Sequence, residues 1–195
     1  MEKKYRLLEN DTITVGNRTL HGIEALRDFA DVRKGDRGGY IEREDNLSHD
    51  GNCWVSGNAC VSGNACVSGK ARVFDNARVF DNARVFDNAR VYDDAWVADN
   101  ARVSGKARVY GYAEVYGDAE VRSTRDYAVL KNIWSSGRYF TYTRSNRMWK
   151  VGCLYGTGEE LIKKAYQDSE VSGREYKRVV EYVEAMYADL EKDKE

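Results

Sequence analysis

The chain contains no proline, only two histidines and no long run of apolar residues. Without proline, no bend is locked at a fixed φ, so turns must rest on residues that tolerate positive φ. The apolar runs are too short to span a bilayer, and Met1-Glu2-Lys3-Lys4-Tyr5 lacks an apolar leader core. A cytoplasmic location is therefore expected, with no membrane partner. The net charge of −1 gives no bulk preference for nucleic acid. The four cysteines are spaced 7, 6 and 87 residues apart, without a Cys-x-x-Cys pair, and read as free thiols in a reducing compartment. No Gly-rich phosphate loop, nucleophile elbow or metal-spaced cluster occurs, so no catalytic residue, metal or cofactor is assigned.

What is present is a period of six. Valine recurs twelve times without a miss, from Val55 to Val121, with a small residue two positions before each: Cys53, then alanine from Ala59 to Ala119. Neither a helix nor ordinary strand pairing has this period. Within a unit such as Ala71-Arg72-Val73-Phe74, alternation puts Ala71 and Val73 on one face and Arg72 and Phe74 on the other. The next two residues are turn formers, as in Gly57-Asn58, Asp75-Asn76 and Asp99-Asn100. A four-residue strand and a two-residue corner, repeated, wind into a solenoid filled by valine and alanine. With three units per turn, twelve units make about four coils and a prism about 19 Å tall. Its two ends expose strand edges that need covers.

Three segments follow from this. Residues 1–50 read as an N-terminal β-hairpin and loop cap, with a hairpin signal at Val15-Gly16-Asn17-Arg18. Residues 51–122 are the repeats. Residues 123–195 read as an α+β module. Its strands are expected at Tyr127–Trp134, Arg138–Thr143 and Met148–Val151, with turns at Ser135-Ser136-Gly137 and Ser145-Asn146. Two helices follow, opened by the capping-box patterns Thr157-Gly158-Glu159-Glu160 and Ser172-Gly173-Arg174-Glu175. Tyr176, Val179, Val180, Val183, Tyr187 and Leu190 form one apolar stripe on the second helix, expected to pack on the module's own sheet.

The repeats resemble the hexapeptide-repeat left-handed β-helix; the handedness is implied by the resemblance. The run Ile23 to Phe29, then Gly35-Asp36, Gly38-Gly39-Tyr40-Ile41-Glu42, Asn46-Leu47-Ser48 and Gly51-Asn52-Cys53-Trp54-Val55, looks like the lead-in segment of YdcK-type hexapeptide-repeat proteins. These occur in enterobacteria and bacteriophages and are often labelled transferases. The resemblance covers residues 5–122. The last third departs from it and is similar to a terminal module of gut-phage proteins. Hexapeptide acyltransferases usually carry a histidine base beside a looped-out insertion. The twelve units here have neither a histidine nor an insertion. His21 and His49 lie outside them, and three-histidine zinc coordination, as in the related carbonic anhydrases, is short of one ligand. A fold label alone does not establish chemistry.

Two surfaces are candidates for binding. Units one coil apart differ by eighteen residues, so one face stacks Trp54, Arg72, Arg90 and Arg108 beside a second row of Phe74, Tyr92 and Tyr110. Neither row contains an acid. Arginine and aromatics are enriched in interface hot spots, which suits a docking surface for a protein partner or a second copy. The second candidate is the sheet region 123–156, with six basic residues against Asp126 alone. Trp134, Arg138, Tyr142, Arg144, Arg147 and Trp149 interleave basic and aromatic character and suit stacking on a nucleotide. The helical stretch from 157 on carries seven basic against eleven acidic residues and could instead neutralise that sheet. The corner aspartates, such as Asp75 with Asp93 and Asp81 with Asp99, stack between coils, where carboxylates could hold calcium or simply be solvated. The leading expectation is a non-enzymatic binding or scaffolding protein that self-associates. The alternatives are a phage-encoded inhibitor or sequestering protein acting on a host defence factor or nucleotide messenger, and an acyltransferase.

Overall fold

A computed structural model of the chain describes residues 2–134 and 136–192. The chain divides into two compact units, one ending at Thr124 and one beginning at Arg125. The first unit is a parallel β-solenoid with an antiparallel start. Strands β1 (Tyr5–Val15) and β2 (Arg18–Ala25) form a hairpin whose two-residue turn places Gly16 at φ 62°. Strand β3 (Arg37–Ile41) pairs antiparallel with β2 and parallel with the repeats.

The repeats supply twelve two-residue strands, β4 (Trp54–Val55) through β15 (Glu120–Val121). They stack in three parallel ladders. The first joins β4, β7 (Arg72–Val73), β10 (Arg90–Val91) and β13 (Arg108–Val109). The second joins β3, β5 (Cys60–Val61), β8 (Arg78–Val79), β11 (Trp96–Val97) and β14 (Glu114–Val115). The third joins β6 (Cys66–Val67), β9 (Arg84–Val85), β12 (Arg102–Val103) and β15. Every valine of the repeat and every small residue before it is buried, at 0 or 1% exposure. This inward register is the one the alternation dictates.

The solenoid has about five turns rather than the four expected. Ile41 pairs with Val61 and Leu47 with Val67, so the lead-in segment adds a coil of its own. The periodicity hid it because Leu47 and Val55 are eight residues apart instead of six. Ile41 and Leu47 are fully buried and continue the valine rows. This segment also covers strand edges. Asn46 is buried, and its amide donates to the carbonyl oxygens of Gly63 at 3.0 Å and Ala65 at 2.8 Å. The Glu42 carboxylate accepts from the Gly63 amide at 2.6 Å and from Arg18 at 2.7 Å. Edge groups that would otherwise be orphaned are thus satisfied.

The corners explain the turn residues. The residue two after each valine, from Gly57 to Gly117, has positive φ, between 56° and 68°. Five of these are aspartates, Asp75 to Asp99, where a side chain strains the backbone unless it gains a partner. It gains one: the carboxylates of Asp87, Asp93 and Asp99 accept the amides of Gly105, Gly111 and Gly117, one coil on, at 3.0 to 3.1 Å. Beside them the asparagines form amide ladders, Asn64 to Asn82 to Asn100 to Asp118, at 3.0 to 3.2 Å. The stacked corner carboxylates therefore serve the coil-to-coil hydrogen bonding.

The second unit is a four-stranded antiparallel sheet followed by two helices. Its strands are β16 (Tyr127–Lys131), β17 (Tyr139–Thr143), β18 (Met148–Val151) and β19 (Leu154–Gly156), paired in chain order. The fourth strand is too short and glycine-flanked to show periodicity. Of the expected turn at Ser135-Ser136-Gly137, Ser135 lies outside the described residues. Helix α1 (Gly158–Asp168) starts at the expected capping box, with Thr157 Oγ1 accepting from the Glu160 amide and the Glu160 carboxylate from the Thr157 amide. Helix α2 (Glu170–Lys192) starts earlier than expected. Ser172 is inside it, and the hydroxyl of Ser169 accepts the Ser172 amide at 3.0 Å. Phe140, Tyr142, Trp149 and Val151 from the sheet meet Leu161, Val179, Val180, Val183 and Tyr187 from the helices in one core, with Tyr176 and Leu190 at its border.

Candidate binding surface

On the first ladder Arg72, Arg90 and Arg108 stand in register on adjacent strands. Phe74, Tyr92 and Tyr110 stand beside them and stack: Phe74 on Tyr92 at 4.9 Å with planes 2° apart, Tyr92 on Tyr110 at 5.3 Å and 10°. These spacings are close to the distance between neighbouring strands, about 4.8 Å. The repeat itself imposes the stack, since each ring takes the same place one coil further on. Two like charges at that spacing repel by about 1 kcal/mol even in water. Arg90 is flanked by two and is exposed. Among the described residues it has no acidic partner.

The beginning of the row differs from expectation. Trp54 is 3% exposed and belongs to the core of the N-terminal cover. Phe29 packs edge-on against it at 5.3 Å, and Tyr5 does so at 6.3 Å from another side. Arg72 is half-buried and ion-paired with Asp31. Burial, and after it the neighbouring Arg90, hold the Arg72 pKa below its ordinary value. The segment that bears Phe29 and Asp31 therefore already lies on the first two rungs, and the accessible row begins at Phe74 and Arg90. Sequence reasoning missed Phe29 and Asp31, because nothing local says that a loop 20 or more residues upstream of the repeats folds back onto them.

The other faces are mixed. On the second ladder Arg78 lies over the Trp96 ring at 5.1 Å, while Phe80 packs edge-on against Trp96 and Tyr116. On the third, Arg84, Arg102 and Phe86 border a shallow groove of about 350 Å³ that also reaches Cys66.

The basic aromatic sheet does not form the stacking platform its composition suggests. Trp149 is fully buried and Tyr142 is 4% exposed, both in the core between sheet and helices. The Trp149 indole N–H donates to Glu184 at 3.2 Å. Arg144 and Arg147 both reach Glu191, at 3.4 and 3.8 Å. One carboxylate of the acidic helix thus meets two of the six basic side chains. Trp134, 48% exposed, and Arg138, also exposed, lie on the connection between β16 and β17, and Arg147 is exposed on the turn after β17.

Both histidines lie on the N-terminal part of the first unit. His49 stacks on Tyr5 at 4.3 Å, and its Nδ1 accepts the Lys4 amide at 3.2 Å. His21 sits on β2, opposite Ile41. Among the described residues no group of three or more His, Cys, Asp or Glu side chains is placed to hold a metal. No helix among them is long and apolar enough to cross a membrane.

The architecture defines a capped hexapeptide β-solenoid carrying an arginine–aromatic row on one face. Its repeats are similar to those of YdcK-type proteins. The family described as "YdcK Beta solenoid repeat" matches residues 71–85 and 83–99. A protein of Escherichia coli (strain K12) named "Uncharacterized acetyltransferase YdcK" is 42% identical over 60 residues. That stretch is 27% of this chain and 18% of the relative, so the likeness concerns the solenoid and reaches only a small part of that protein.

Proposed function

We propose that the protein is a non-enzymatic binding or scaffolding protein that presents the row Arg90, Tyr92, Arg108 and Tyr110 to a carboxylate-bearing protein segment, supplied by a partner or by a second copy of the chain. One observation carries this reading. The chain's own segment uses the same row, with Phe29 against Trp54 and Asp31 on Arg72. An aromatic residue and an acid two positions later are accepted by two successive rungs, and the next rung, Arg90, repeats the chemistry without an occupant from the described residues. A carboxylate there relieves the like-charge repulsion along the row, and the flat stacked rings offer apolar area that needs no rearrangement on binding. The four free thiols support a cytoplasmic setting in a bacterial cell.

Acyl transfer has the name of the relative in its favour, but that name belongs to a protein matched over 18% of its length. Light scattering and partner capture with Arg90→Glu test the proposal. Circular dichroism should be unchanged, because position 90 points outward, while self-association or capture should fall and the remainder should be salt-sensitive. An unchanged mass with unchanged capture would sink the reading.

A further inference from the structure

Lys4 and Cys53 meet inside the N-terminal cover, and neither has exposed surface. Lys4 Nζ donates to the Cys53 carbonyl oxygen at 2.9 Å and lies 3.2 Å from Cys53 Sγ. The nitrogen is 5.2 Å from the Phe29 ring centre. The remaining hydrogen-bonding neighbours of Sγ are the carbonyl oxygens of Ser48 at 3.4 Å and Asp50 at 3.7 Å. Among the described residues no carboxylate pairs with Lys4. A lysine taken out of water without a counter-ion is costly, so its placement against sulfur calls for a reason.

The repeat supplies a second observation. The small inward position is alanine in eleven of twelve units, from Ala59 to Ala119. Cysteine stands there once, at the position Lys4 reaches. Cys60 and Cys66 occupy outward positions of other units, so they are no precedent for an inward thiol.

We propose that Lys4 and Cys53 form an oxidative cross-link in which one oxygen atom joins Lys4 Nζ to Cys53 Sγ, made when the protein meets a peroxide. The Lys4 amine takes the thiol proton, and the thiolate attacks a first peroxide, giving a sulfenic acid and one water. A second peroxide oxidises the pair by two more electrons. The nitrogen–oxygen bond forms, the nitrogen and the sulfenic oxygen each lose a proton, and two waters leave. The product is Nζ–H, bridging oxygen and Sγ in sequence, with two peroxides consumed and three waters released. Burial holds the Lys4 amine below its ordinary pKa, favouring the neutral nucleophile. It also pushes the Cys53 thiol up, so the thiolate depends on the short contact with Lys4, which acts the other way. A direct sulfur–nitrogen bond would demand far more movement than one inserted oxygen in a packed interior. The bridge would fasten residues 49 apart in sequence, the start of the cover to the first regular coil. Closing that loop raises the unfolding midpoint of the oxidised chain.

The test uses the full chain, reduced, treated with hydrogen peroxide while folded, quenched and weighed intact. The expected product gains one oxygen and loses two hydrogens, about 14 Da, and dithiothreitol reverses it. Peptide mapping should join the segments holding Lys4 and Cys53, with tryptic cleavage after Lys4 lost. The combined variant Cys60→Ser, Cys66→Ser, Cys153→Ser should gain the same mass, and Cys53→Ala should not. Oxygens added to Cys53 while trypsin still cuts at Lys4 would overturn the proposal. So would a join that only loses two hydrogens, or an unchanged mass in folded protein. Should Cys53→Ala fail to fold, the wild-type peptide map decides alone.

Discussion

Asp93 holds a left-handed backbone conformation, φ 56°, and its carboxylate accepts the Gly111 amide of the next coil at 3.0 Å. The strain and the bond offset one another at a single residue. Asp93→Ala keeps the strain and loses the bond, and should cost about 1–2 kcal/mol. Asp93→Gly loses the bond but relieves the strain, and should cost clearly less. Urea unfolding of the two variants checks the order; equal losses would mean that the left-handed backbone carries no strain at this corner.

Acid should weaken the N-terminal cover. Burial, the largest cause, lowers the His49 pKa below 6.5; Glu44 acts the other way, and Lys3 and Lys4 add to the lowering. The unfolded chain therefore takes up the proton at higher pH than the native one. The stability due to neutral His49 is present above pH 6.5 and is lost as pH falls toward the lower native pKa. Glu44, held below 4.5 chiefly by its hydrogen bond to Lys3, acts only in a more acidic window. Unfolding midpoints at pH 7.5 and 5.5 should differ in the wild type and converge in His49→Asn, whose side-chain oxygen can still accept the Lys4 amide. A wild-type midpoint that does not fall between these values contradicts the assignment.

The tryptophans of the C-terminal unit should separate by burial. Trp149→Ala removes a fully buried ring from the sheet–helix core and orphans the Glu184 contact. A loss of about 3–5 kcal/mol is expected, enough to unfold a marginal unit. Trp134→Ala removes a half-exposed ring and should change stability by about 0.5 kcal/mol or less. Thermal melts read both, and a large loss at Trp134 would show that the connection carries packing energy.

The six-residue period by itself determined the solenoid, its inward rows and its corners. Each of those rests on neighbours within one unit, where alternation and positive φ leave one geometry. The apolar stripe of the last helix was legible for the same local reason, and so was the Thr157 capping box. What tertiary structure alone decided lies at longer range. Ile41 and Leu47 became an extra coil only when they paired with Val61 and Val67, twenty residues on. Trp54, read from its outward position as surface, became core once Phe29 and Tyr5 closed over it. Tyr142 and Trp149 carried the right composition for stacking on a ligand, yet the helices took that face, since an apolar sheet face and an apolar helix stripe in one unit bury each other first. Lys4 gave no local signal at all. Its burial follows from where the N-terminal strand lands on the first coil, and a period within the sequence carries no information about a contact made once.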